Sequence, residues 1–143
     1  MGRLHIDLPE RFPFETELEV RVGDLNYGNH LGNDSVLTLV HEARRRYLHA
    51  LGVEEIGADG VGFVVADAAV VYRAQAFHGD RLRFQLAAGE LQSRGCAVFC
   101  RVSGAVDGRT VAEVRTGLVC FDFRAQKTLV LPEALRLRLE GKG

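Results

Sequence analysis

The chain has 143 residues, 47% apolar and 26% charged, with 18 basic side chains against 19 acidic ones. That length suits one domain over residues 1–143 with a single core, and the near-neutral balance gives no reason to expect nucleic-acid binding or any other bulk electrostatic partner. No uncharged apolar run is long enough for a membrane span, and the opening MGRLHIDLPERFPFE has neither the apolar stretch nor the small-residue cleavage site of a signal peptide, so a cytoplasmic protein is expected.

In chain order, residues 15 to 22 (ETELEVRV) alternate polar and apolar, the pattern of a half-buried strand. The stretch VRVGDLNYGNHLGND, residues 20 to 34, follows at once and gathers Asp24, Asn26, Tyr27, Asn29, His30, Asn33 and Asp34 around three glycines. Asn, Asp and Gly are ordinary turn residues, but this density of hydrogen-bonding groups just before a helix is also where a scaffold displays chemistry. From about Asp34 to Leu51, apolar residues at Val36, Leu39, Val40, Ala43, Tyr47 and Leu51 keep helical spacing. Asn33, Asp34 or Ser35 can cap this helix at its start, and Gly52 stops it. Thr38, His41, Glu42, Arg45, Arg46 and His49 form the other face, by default a solvated stripe.

After the Gly-rich connector VEEIGADGVG come four long stretches rich in Val, Phe and Tyr, about 61–76, 80–91, 94–106 and 109–123. His78-Gly79-Asp80, Gln92 to Gly95 and Asp107-Gly108 read as the turns between them, which predicts a four-strand antiparallel meander. Pro132 then permits a short helix through Glu140. Cys96, Cys100 and Cys120 all lie in apolar segments and read as free, buried thiols; no zinc spacing accompanies them, and neither a metal nor a cofactor is expected. There is no internal repeat, low-complexity segment or linker. One long helix after the first strand, followed by four antiparallel strands, gives an α+β domain whose sheet can curl around the helix. A single helix leaves sheet edges and area uncovered, which favours a homodimer or homotetramer.

The element order and the loop chemistry together resemble the hotdog-fold acyl-CoA thioesterases, specifically the 4-hydroxybenzoyl-CoA thioesterase-like group. Asp24 matches the first Asp of that family's loop, His30 its His, Asn33 its last Asn, Glu42-Ala43-Arg44 its helical signature, and Tyr72 with Gly79-Asp80 its strand Tyr and following turn. The family's second Asp, its usual nucleophile or general base, falls on Asn26, a neutral amide that can hold a water or a carbonyl oxygen but cannot accept a proton.

The resemblance implies hydrolysis of an acyl-CoA or acyl-carrier-protein thioester, with a helix N-terminal N–H near Asn33 on the thioester oxygen. Asn26 would orient substrate or water, and Glu42 or His30 would accept the proton, Glu42 being preferred. Asp24, Tyr27, Asn33, Asp34 and Tyr72 are expected around the substrate, and Arg73, Arg81 and Arg83 near the CoA phosphates. Each has an ordinary counterpart: an exposed ion pair with Arg45 or Arg46 for Glu42, a structural donor for His30, a first-turn acid at the helix dipole for Asp34. Two competing functions are a hotdog hydratase or dehydratase using His30 and Glu42, though the Pro-Gly usual before the helical acid is absent, and a non-catalytic acyl-thioester binding module.

Overall fold

A computed structural model describes residues 2–142. Strand β1 (Phe14–Glu19) keeps the alternation read in the sequence, half-buried then exposed along its length. Its continuation through Val20 and Arg21 does not stay in the sheet, because residues Val22–Asp24 tighten into one 3-10 turn. Helix α1 (Asn33–Ala50) buries Val36, Leu39, Val40, Ala43 and Tyr47 as its spacing predicts, and Leu48 besides; Leu51, expected on that face, is the C-cap and only half-buried. Gly52 ends it at φ +75°, a conformation that costs glycine nothing. The start differs from expectation: the N-cap is Gly32, and no side chain caps the helix.

The sheet is built from β1, β2 (Val61–Tyr72), β3 (Arg81–Gly89), β4 (Gly95–Gly104) and β5 (Thr110–Asp122), with a two-residue β6 (Lys127–Thr128) alongside β5. The spatial order is β1-β3-β4-β5-β2 and every pairing is antiparallel. The predicted four-strand meander therefore holds only for β3 to β5. β2 lies beyond β5, and the chain crosses the sheet between β2 and β3, so His78-Gly79-Asp80 is no hairpin. Its hydrogen bonds go to β1's extension instead: Gly79 N–H donates to the Val20 carbonyl and Val20 N–H to that of Asp80, both at 2.9 Å. Hydrophobic alternation identifies strands but carries nothing about which strands are neighbours. The Asp107-Gly108 turn is also longer than two residues, since β4 ends at Gly104 and β5 begins at Thr110.

The helix side of the sheet supplies Leu82, Phe84, Leu86, Val98, Cys100, Val102, Val114 and Cys120 to one core with α1. Tyr47 reaches through this core so that its hydroxyl accepts the Ala88 N–H at 3.1 Å. On the opposite face the amino-terminal arm places Ile6 over Val71, Ala97 and Phe99. Helix α2 (Glu133–Leu139) follows Pro132 as expected and buries Leu139. The three cysteines are free and buried. No helix among the described residues is long and apolar enough to cross a membrane.

At the end of the sheet, β2 has no further strand beside it over its second half. The connector residues covering its start are held by the Phe63 N–H, which donates to the Glu55 carbonyl at 2.9 Å. A Cβ on Gly62 would overlap that carbonyl, so glycine is what lets the connector lie against the strand.

Candidate active site

The loop from Val20 to Asn33 is fixed by its own backbone. Asn26 N–H donates to the His30 carbonyl at 2.9 Å, Gly32 N–H to the Asp24 carbonyl at 2.9 Å, and Leu31 N–H to the Ala76 carbonyl at 2.8 Å. The last bond and the bridge between His30 and Phe77 explain why the first β-rich stretch, 61–76, leaves the sheet after Tyr72: residues 75 to 77 pair with the loop instead. Asn29 supplies the one left-handed turn at φ 62°, a conformation Asn tolerates. Asp24 belongs to this scaffold: its buried carboxylate accepts the Arg21 backbone N–H at 2.9 Å and the Arg21 guanidinium at 3.3 Å.

Asn26 is held by a bond from the Gly28 N–H to its Oδ1, 2.8 Å long. That bond assigns the amide orientation, leaving the Nδ2 group as the free donor. His30 stands close by: a Cβ placed on Gly28 would lie 3.1 Å from the imidazole Nε2 and 3.3 Å from Asn26 Oδ1. Both residues line a cavity of about 330 Å³, together with Leu31, Asn33, Tyr72, Arg73, Ala74 and Gln75. The Tyr72 hydroxyl donates to the Asn33 carbonyl at 2.9 Å, tying β2 to the start of α1. Partial burial, and secondarily the Asp34 carboxylate, push the Tyr72 phenol above its ordinary range, so it stays protonated as a donor.

The start of α1 opens onto this cavity. Gly32 offers no side-chain cap, and the first regular helical bond is Val36 N–H to the Gly32 carbonyl at 3.2 Å. The first-turn N–H groups therefore stay available, at the positive end of an 18-residue helix. Asn26 Nδ2 and this helix start form a donor-rich, anion-accepting corner, with His30 beside it.

The structure brings Asn26, His30, Asn33 and Tyr72 into one cavity; the other residues expected there stand elsewhere. Asp34 sits exposed in the first turn near Tyr72 without lining the cavity, and Tyr27 is fully exposed at the loop tip. Glu42 is the larger departure. It lies nine residues along the helix from Asn33, about 13 Å of rise, and its carboxylate accepts the Arg46 Nε–H at 2.8 Å. It borders a separate cavity with Leu18, Arg21, Thr38, His41 and Arg45 on the β1 side of the helix, His41 standing between this cavity and the next. The i,i+4 spacing of Glu42 and Arg46 accounts for this pair without any functional role. The arginines considered for CoA phosphates are all paired with acids: Arg73 with Glu113, Arg81 with Glu17, Arg83 with Glu15.

A second cluster was not legible in the sequence. Beside β2, Glu55 of the connector takes Arg44 Nε at 3.3 Å on one oxygen and His41 Nε2 at 3.0 Å on the other. The three residues face a cavity of about 370 Å³ with Leu37, Phe63, Val65 and Thr116. Thr116 Oγ1 is buried there without a hydrogen-bond partner. Helical periodicity does place Arg44 on the buried side of α1, one position from Ala43, but nothing in the sequence links position 41 or 44 to position 55. Among the described residues no cluster of His, Cys, Asp and Glu could hold a metal ion.

Residues 20–139 match the model of the thioesterase-like superfamily. The long-chain acyl-CoA thioesterase FadM of Escherichia coli is 28% identical over 127 residues, which cover 88% of this chain and 96% of FadM. Among solved structures, a 1,4-dihydroxy-2-naphthoyl-CoA thioesterase from Synechocystis superposes with TM-score 0.80 at 21% identity, covering 88% of this chain and 94% of that one. Protein TT1821 from Thermus thermophilus superposes with TM-score 0.81 at 23% identity, over 90% of this chain and 98% of that one.

Proposed function

The chain belongs to the thioesterase-like superfamily with the hotdog fold, and from that premise we propose that it hydrolyses the thioester of an acyl-coenzyme A at the Asn26 cavity. As a thioester hydrolase it needs to place the thioester carbonyl against donors and bring a water to its carbon. The uncapped start of α1 is the observation that carries the reading, because free backbone N–H groups near Asn33 suit a developing oxyanion. A preorganised donor of this kind is worth about 3 kcal/mol in other acyl-transfer sites. Asn26, with Oδ1 occupied by Gly28, offers Nδ2 to the carbonyl oxygen or to the water. His30 lines the same space, and the thiolate is a good enough leaving group to need no strong general acid.

A homodimer formed along β2 accompanies this reading. Val65, Ala66, Asp67 and Ala68 are exposed on an edge strand whose only ladder is to β5, and Leu37, Val65 and Tyr72 add half-exposed apolar surface on the same side. An open apolar edge is self-complementary when two copies pair antiparallel about a two-fold axis.

The test is release of free thiol from a panel of acyl-CoAs and from acyl-carrier-protein thioesters, set beside direct binding of the same ligands. Release from an acyl-CoA is expected. Binding without release would turn the assignment to a non-catalytic acyl-thioester module, the alternative that a neutral Asn26 favours.

A further inference from the structure

We propose that His41, oriented by Glu55, is the proton acceptor for the site of a second copy of this chain: His41 of one copy faces the Asn26 cavity of the other across the β2 edge. The proposal rests on the thioester hydrolysis proposed above and adds the group that activates water, a role that neutral Asn26 cannot fill.

Three observations converge. The first is the His41–Glu55 pair, with Nε2 to Oε2 at 3.0 Å while the other carboxylate oxygen is fixed by the Arg44 guanidinium, itself only 7% exposed. A carboxylate anchored on one side and bonded to an imidazole on the other sets the tautomer: Nε2 carries the hydrogen towards Glu55, and Nδ1 is left as the acceptor. The His41 side chain is half exposed, so the base is oriented yet reachable. His30, by contrast, has only an edge contact with Phe77, ring centroids 6.4 Å apart, and no carboxylate beside it. Glu42 is taken up by Arg46, whose guanidinium also donates to Thr16 Oγ1 and the Glu17 carbonyl on β1.

The second observation is that the cavity in front of His41 is built for an occupant. Its walls are Leu37, Phe63, Val65 and Leu118, all apolar, and the buried Thr116 Oγ1 that lines it has no partner. A buried hydroxyl without a hydrogen bond costs free energy unless a water or ligand oxygen meets it.

The third is strand geometry. Connector residues cover β2 only at its start, so the free edge is centred on the exposed run Val65 to Ala68. In antiparallel pairing about a two-fold axis at the centre of that run, Phe63 of one copy falls opposite Val70 of the other, two residues from Tyr72, or roughly 7 Å at about 3.4 Å per residue. Tyr72 lines the Asn26 cavity, and Phe63 lines the His41 cavity. The two cavities therefore meet across the edge, and each dimer carries two composite sites.

The chemistry balances with water as the only co-reactant. A water oxygen forms a bond to the thioester carbon as His41 Nδ1 takes one of its protons, and the carbonyl electron pair moves onto the oxygen held by the α1 N–H groups. When that pair returns, the C–S bond breaks and the thiolate leaves with the proton from the imidazolium. The products are the free acid, ionised at neutral pH, and the CoA thiol.

The experiment is subunit complementation. His41→Ala and Asn26→Ala chains, carrying different affinity tags, are co-expressed and the doubly tagged dimer is isolated. The His41→Ala homodimer is expected below about 1% of the parental thiol-release rate and the Asn26→Ala homodimer at about a fifth of it or less, while the mixed dimer keeps one intact site of two and so about half of it. His41→Gln, with the melting temperature of every sample, guards against loss of fold. In Glu55→Gln the imidazole loses the carboxylate that orients it, so kcat should fall by about tenfold with KM unchanged, whereas a merely structural Glu55 would change the melting temperature and leave kcat in place. The charged groups facing His41 are Glu55 and Arg44 in this cavity and Glu19, Arg21, Glu42, Arg45 and Arg46 in the neighbouring one, which His41 also lines. An active parent whose mixed dimer is as dead as its homodimers, or whose His41→Ala variant is fully active, overturns the assignment of His41. A parent that releases no thiol from any acyl-CoA overturns hydrolysis itself.

Discussion

Asn26→Ala removes two things that the geometry separates. The bond from Gly28 N–H to Oδ1, 2.8 Å on an exposed loop, holds the turn. A neutral hydrogen bond of this kind contributes about 1 kcal/mol, which in a domain of this size lowers the melting temperature by roughly 3 °C. Nδ2 is the free donor. Aimed at a developing oxyanion it is worth about 3 kcal/mol, a fall in kcat of roughly two decades; bound only to a neutral carbonyl it is worth about 1 kcal/mol, or about fivefold. The Ala variant is therefore expected to stay folded while kcat falls by about five- to a few hundred-fold. Asn26→Asp keeps the Gly28 bond, since a carboxylate oxygen takes the place of Oδ1, and it puts a proton-accepting oxygen where Nδ2 was. That variant should melt like the parent and retain or exceed its activity. Thiol release on the best acyl-CoA, measured beside differential scanning calorimetry, gives both numbers. If the Ala variant turns over at the parental rate, the Asn26 side chain is a turn residue and the chemistry lies elsewhere.

Glu42→Gln should leave kcat within about threefold, because its carboxylate is engaged by Arg46 away from the cavity and such an exposed pair contributes well under 1 kcal/mol; a fall of two decades or more would return Glu42 to the site. Val65→Lys sets a charge on the free β2 edge and should shift sedimentation from dimer to monomer, with thiol release falling in step; an active monomer would refute a site shared between copies. Burial pushes the Cys96 thiol up to about 11 and the Cys100 thiol higher still, so a disulfide reagent at pH 8 should find almost no reactive protein thiol until denaturant is added, and prompt reaction of the native protein would contradict the packing. Gly62→Ala forces the connector off β2, and with it Glu55, so it should lower the melting temperature and reduce activity together; an unchanged melting temperature would show that the connector is loosely held.

What the sequence made legible followed periodicity. The 3.6-residue spacing located α1 and its buried face, and β-branched and aromatic runs located the long strands. What it left out is what periodicity does not encode. Strand neighbours are chosen by which connections can cross the sheet, so β2 appeared beside β3 in the reading and stands beside β5 in the molecule. The Asn26 cavity was readable because its loop and helix start are contiguous in the chain, with Tyr72 joined to them only through the family resemblance. Glu42 was favoured as an acid on the helix, but Arg46 draws it towards β1, while His41, one residue earlier, stands between the two cavities and is bonded to Glu55 of the connector beside β2. A rotation of 100° per residue separates the flanks, and a solvated stripe read from composition treats both as one.

The neutral residue at position 26 and the ion pair beneath His41 are consistent with each other in charge. Arg44 and Glu55 cancel before the reaction, so the cavity around His41 starts with no net charge from that pair and an imidazole free to gain a proton. As the proton arrives, Glu55 at 3.0 Å stabilises the imidazolium, and the oxyanion forms at the far side, on the N-terminal dipole of α1. An aspartate at position 26 would set a second anion between these two developing charges, giving up a donor to the oxyanion but favouring the imidazolium and adding a proton acceptor of its own. With Asn26 the corner offers only donors to the oxyanion, and the proton is drawn to the other side of the substrate. In the proposed assignment donor and acceptor belong to different copies of the chain, so that assembling the dimer would also assemble the chemistry.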